Sequence, residues 1–216
     1  REAVAPEGSP LTTDTKFTID ETGKVTSTGT VTESGVLLVE DAKTHIEVSK
    51  VDIADGEELE GAEIQILREV KDDEEKDDSR EYVEIEGKTY EVVDKWTSEK
   101  DNTHVIEGLL TDTEYTLRET VAPEGYTIAT NTTFTIDETG KVTSTGTVSD
   151  NGVLLVEDAK THISVSKVDV ANGEELEGAH IQIIDKDGKV VEEWDSKKDE
   201  AHEIEGLKTG EEYTLR

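Results

Sequence analysis

The sequence predicts an all-β protein, an antiparallel sandwich in tandem repeats, and three observations predict it. Short runs rich in Val, Ile, Thr and Tyr alternate between apolar and polar residues, as half-buried strands do. Gly-, Asp- and Asn-containing turn signals separate those runs. No segment keeps a helical apolar period through three turns.

In chain order, strands are expected at 45–52, 62–70, 82–85, 89–93, 113–120, 126–136, 141–147 and 152–158. The first, HIEVSKVD, alternates cleanly and runs into the turn at 54–56. The next carries Ile64 and Ile66 on one face. YVEI and TYEVV flank the Glu86–Gly87 turn and read as a hairpin. Further turns at 137–140 and 150–152 space the last strands, and 187–188 repeats the signal in a later copy. Strands this short and this evenly spaced argue for a sandwich.

Repetition decides the organisation. THIEVSKVDIADGEELEGAE from Thr44 returns as THISVSKVDVANGEELEGAH from Thr161, and FTIDETGKVTSTGTV from Phe17 returns unchanged from Phe134. REAVAPEG at Arg1 returns as RETVAPEG at Arg118, and EYTLR ending at Arg118 returns ending at Arg216. The expected division is one complete unit at 43–160, preceded by the back half of another at 1–42 and followed by a front half at 161–216. The complete unit alone carries an insertion, 68–95.

Composition excludes several roles. The net charge of −32 disfavours nucleic acid as a partner, because phosphate binding needs Lys and Arg. No apolar run is long enough to span a bilayer, and no signal peptide is present. Without Cys the chain suits either a cytosolic setting or a Gram-positive exterior. Without Met it reads as a processed or excised piece, any targeting signal or anchor being expected outside it. The five His residues have no metal-ligand spacing and Asp185–Gly188 reads as a hairpin, so no metal and no cofactor are expected. The run from Asp72 to Asp78 reads as a solvated loop, and Trp96 and Trp194, at one repeat position, as core or strand-edge packing.

Strand parity singles out three charged residues. Lys50 continues the face of Ile46 and Val48, Glu119 that of Tyr115 and Leu117, and Asp158 that of Leu154 and Val156. Each extends an apolar row inward, where low dielectric disfavours charge and demands pairing or neutralisation. A neutral amine beside a protonated carboxyl is the starting state for an amide; a salt bridge at a strand end, or strand ends that reach solvent, explains the same parity.

The residues VSKVD, GEELEGAEIQIL, EYTLRETVAPEGY and VLLVEDAKT resemble the Cna B-type (SpaA-like) domains of Gram-positive pilins and adhesins over essentially the whole chain. That resemblance implies a transthyretin-like or inverse immunoglobulin-like sandwich with an autocatalytic isopeptide bond. Lys50 would be its nucleophile, Asp158 its electrophile, losing water, and Glu119 the proton-transferring residue. The adjacent Glu157 leaves the register open by one position. Closing a loop of about a hundred residues is worth on the order of 4–5 kcal/mol on the chain-entropy argument. A second set is split between the halves: Lys167 in one, Glu2 and Asp41 in the other.

The expected function is a stalk or shaft module of a cell-wall-attached adhesin or pilus outside a Gram-positive cell. It would be no enzyme beyond a single self-modification. Its partners would be neighbouring repeats or copies of itself joined head to tail, with a host or matrix protein as a further candidate. The alternative is a ligand-binding adhesin module that uses the 68–95 insertion. A third class, the accessory module of a secreted enzyme, requires a catalytic domain that this sequence lacks.

Overall fold

A computed structural model describes residues 2–71 and 73–216. Arg1, which opens the first repeat box, and Asp72, which opens the acidic run, lie outside the described residues. The described chain holds sixteen strands and no helix.

The first group is a hairpin, β1 (Phe17–Ile19) with β2 (Val25–Ser27). The second comprises β3 (His45–Asp52), β4 (Glu63–Glu69), β5 (Tyr82–Ile85), β6 (Lys88–Thr97), β7 (His104–Glu107), β8 (Tyr115–Val121), β9 (Thr132–Ile136), β10 (Val142–Ser144) and β11 (Leu154–Asp158). The third comprises β12 (His162–Val165), β13 (His180–Ile184), β14 (Val190–Asp195), β15 (His202–Glu205) and β16 (Thr214–Leu215). No sheet mixes strands from different groups.

The second group is a two-layer sandwich. One sheet runs β10-β9-β8-β4-β6-β5 and the other β11-β3-β7. Alternate side chains meet between them: Ile46, Val48, Ile106, Leu154 and Val156 from the smaller sheet, and Ile64, Ile66, Tyr115, Leu117, Phe134 and Ile136 from the larger. Tyr115 and Phe134 stack at 5.5 Å at the centre of this core. Strand pairs are antiparallel except β3 with β11, which run parallel.

The predicted strands are present with adjusted limits. The one expected at 89–93 extends over the whole of β6, and that at 126–136 survives only as β9. Its first part is irregular because the Ala129 N–H turns away to bond the Glu119 carboxylate. The short β7 has no counterpart among the eight expectations; only Ile106 in it is buried, so its alternation is a single residue deep. The Glu86–Gly87 turn has positive φ at both residues, 51° and 81°, the geometry of a two-residue hairpin.

Successive groups abut through the repeat boxes. Gly8 O accepts the Thr44 N–H at 2.8 Å, and Gly125 O accepts the Thr161 N–H at 2.9 Å. A Cβ at Gly125 would stand 2.8 Å from Gly206 O, and one at Gly8 2.7 Å from Gly108 O. The close approach at both joints therefore requires glycine.

Candidate functional site

Three strands from both sheets bring Lys50, Glu119 and Asp158 together. Lys50 lies on β3 and Asp158 on its parallel neighbour β11, while Glu119 reaches across from β8. All three are buried. The Lys50 Nζ lies 3.2 Å from Glu119 Oε1 and in contact with Asp158 Oδ1. It also donates to Val156 O at 3.3 Å. Asp158, not Glu157, faces the amine: Glu157 points outward, where Thr147 Oγ1 donates to it at 2.5 Å.

The carboxyls are poorly satisfied for groups so deep. Glu119 Oε2 accepts the Ala129 N–H at 2.6 Å, but Oε1 and both oxygens of Asp158 have no aligned hydrogen-bond donor. Burial raises the pKa of Glu119 to about 7, against the lowering effects of the Ala129 N–H and the Lys50 charge. Burial likewise raises Asp158 above the usual carboxylate range. Orphaned buried acceptors are costly. The arrangement holds an amine against an acid whose protonated form low dielectric favours, with a second acid titrating near neutrality beside both.

The split set is only half assembled. Glu2 Oε2 accepts the Thr12 N–H at 2.9 Å, as Glu119 accepts that of Ala129. Asp41 is close enough to Glu2 that its pKa rises, first from desolvation and then from the Glu2 charge. Lys167 stands exposed in the third group. Its carbonyl accepts the Leu176 N–H at 2.8 Å, just as Lys50 O accepts that of Leu59.

Two further polar residues border the site. Asp52 follows Lys50 on the same face of β3 and pairs with Asp158 across the ladder, and Tyr126 donates to its carboxylate at 2.9 Å. Sequence reasoning missed Asp52, although the parity of β3 was a signal that could have found it, since it continues the row Ile46, Val48, Lys50. Elsewhere Trp96 packs on the core and stacks on His104 at 4.0 Å, an arrangement that Trp194 and His202 repeat at 4.3 Å. Among the described residues no cluster of His, Asp and Glu has the form of a metal site. No helix of the structure is long and apolar enough to cross a membrane.

The model of the SpaA family, described as a prealbumin-like fold domain, matches residues 44–150 and 161–216. Among solved structures, the chain is similar to the TIE protein of Bacillus anthracis at 23% identity and a TM-score of 0.44, covering 100% of this chain and 35% of that one. It is similar to the pilus adhesin RrgA of Streptococcus pneumoniae at 20% identity and a TM-score of 0.40, covering 57% and 16%. The shaft pilin SpaA of Lactobacillus rhamnosus GG is 15% identical with a TM-score of 0.34, covering 80% and 81%. The chain thus spans about a third or less of the first two proteins. No curated protein matches it.

Proposed function

The chain belongs to the SpaA family of prealbumin-like domains, and on that footing we propose that it is a shaft or stalk segment of a Gram-positive surface adhesin or pilus, held by an internal Lys50–Asp158 isopeptide bond. The proposed units are 43–160, complete, and the half-units 1–42 and 161–216. One observation carries the reading: an amine touching two under-bonded carboxyls in a buried interior.

The chemistry balances within the site. The Lys50 Nζ attacks Cγ of Asp158, an N–C bond forms, and a carboxyl C–O bond breaks. Glu119 takes a proton from nitrogen and delivers one to the departing oxygen, which leaves as water. Glu119 ends unchanged. A pKa of about 7 suits both halves of that relay at neutral pH. The amide replaces buried charges, which cost several kcal/mol each, by a neutral group. Because β3 and β11 are the first and last strands of the unit, tension entering at one and leaving at the other passes through the cross-link.

The half-units complete one another head to tail in the same reading. The first exposes Phe17, Ile19 and Val39, the second Ile163 and Val168, and the residues equivalent to all five are buried in the complete unit. Docking would bring Lys167 of one copy to Glu2 and Asp41 of the next, a heterologous contact that builds open filaments. Intact mass and denaturing electrophoresis of the purified chain test both parts. We expect a mass lower by one water for the internal bond and a ladder of covalent multimers for the second. A chain of unmodified mass defeats the first, and a monomer band alone defeats the second.

The insertion supports a second reading, a ligand-binding face. β5 and β6 project it as a hairpin braced by Glu91, which is buried against Arg68 at 2.7 Å and against Arg80. Replacing 68–95 by the short turn of the later copy would abolish binding to a host matrix on that reading. On the shaft reading the replacement changes nothing.

A further inference from the structure

We propose that Asp52 is a positioning residue for the cross-link, a fixed negative charge beside Asp158 that keeps the reacting proton on that acid. The inference rests on the isopeptide reading and concerns a fourth residue within it.

The parallel register places Asp52 directly opposite Asp158, and the two strands are pinned there by the Ile53 N–H donating to Asp158 O at 2.9 Å. Asp52 is 2% exposed, yet unlike Asp158 it is fully engaged. Its carboxylate accepts the Ala54 N–H at 2.8 Å and the Tyr126 O–H at 2.9 Å, and lies 3.7 Å from the Lys160 ammonium. These donors hold Asp52 below the ordinary carboxylate range, the Ala54 N–H first among them. Two buried carboxyls side by side do not both ionise readily. The donors around Asp52 favour its charge, while burial first, and the Asp52 charge in addition, favour the proton on Asp158 against the pull of Lys50. Amide formation needs this asymmetry, because a protonated acid loses water where a carboxylate does not.

The groups facing the pair are few. Lys50 and Glu119 face Asp158, and Tyr126 and Lys160 face Asp52. Asp55 and Glu57, in the following turn, act on the same Tyr126 phenol. Of these, only Asp52 is an acid lodged in the ladder beside Asp158.

The test starts from full chain assembled chemically in denaturant, so that it begins unlinked, and folded by dilution at a series of pH values. Loss of one water is followed by intact mass. Asp52→Asn keeps the shape and removes the charge. We expect bonding near neutrality to slow about tenfold and the pH profile to move down by about one unit, the equivalent of one pKa unit at Asp158. Tyr126→Phe, which removes one donor from Asp52, should move both readouts the same way by less. If Asp52→Asn fails to fold, Tyr126→Phe decides alone. Wild-type rate and profile in the variants, or a slower rate with an unmoved profile, overturns the proposal. Wild-type chain that never loses water overturns the isopeptide reading itself, so the two failures are distinct.

Discussion

The same fifteen letters, FTIDETGKVTSTGTV, stand at 17–31 and 134–148, and the molecule treats them in two ways. Locally they are one structure. Each forms the same short antiparallel hairpin, and in each turn one aspartate gathers the following amides: Asp20 accepts from Thr22 at 2.8 Å, and Asp137 accepts from Thr139 at 2.8 Å. In burial they are opposites. Phe17 is 55% exposed where Phe134 is 2%, and Ile19 is 63% exposed where Ile136 is 0%. A hairpin makes its own turn but not its own core. The apolar face is covered only where β8 continues its sheet and the β11-β3-β7 sheet packs over it, and the first half-unit forms neither. Site chemistry follows the same division. Glu119 and Asp158 meet their lysine, while Glu2 faces Asp41 and the Thr12 N–H.

The comparison can be broken in several places, and the largest effect should come from the cross-link. Lys50→Met removes the nucleophile without leaving a buried charge on that side chain. Thermal unfolding should then lose about 4–5 kcal/mol of stabilisation, the value of closing a loop of about a hundred residues. Equal unfolding of variant and wild type would mean that no bond had formed.

Next in size is truncation at the two copies of one residue. Phe134→Ala should cost about 3–5 kcal/mol in urea denaturation, as deleting a buried aromatic does. Phe17→Ala should leave that transition within about 0.5 kcal/mol, as exposed sites do, and should weaken association between chains instead. A large folding cost at Phe17 in dilute monomer would show that the first half-unit buries its face in some other way.

The titration of Glu119 sharpens the contrast further. Its folded pKa lies above its unfolded one, so the folded state binds more protons between about pH 4.5 and about pH 7. Stability from this group is present below that window and is lost as pH rises through it. In the unlinked Lys50→Met chain the melting temperature should therefore fall from pH 5 to pH 8 by several degrees. Adding Glu119→Gln should flatten that part of the slope.

The smallest effect is expected at a joint. Gly125→Ala places a Cβ against Gly206 O at a residue with φ of +87°, so the junction must loosen by about 1–2 kcal/mol. Faster hydrogen exchange at the Thr161 amide would report it, with the β3 and β4 amides unaffected.

How far the site was legible depends on the residue. Lys50, Glu119 and Asp158 stood out because parity is a local property: a charged side chain two places beyond a buried one points the same way whatever lies opposite. Asp52 sat in the same row and was equally readable, but its role was not, since that comes from standing beside Asp158. The parallel pairing of β3 with β11 joins residues about a hundred apart, and nothing near either strand announces it. Choosing Asp158 over Glu157 required that register.

By itself, then, the sequence determined the all-β class, the repeat, the turns and the inward row of charges. All of these rest on backbone preferences and side-chain alternation over a few residues. The tertiary structure alone decided which strands are neighbours, which apolar faces are covered, and which carboxyl meets the amine. Those outcomes depend on contacts between distant segments, and two identical segments can differ in them completely because the strands that pack against them differ.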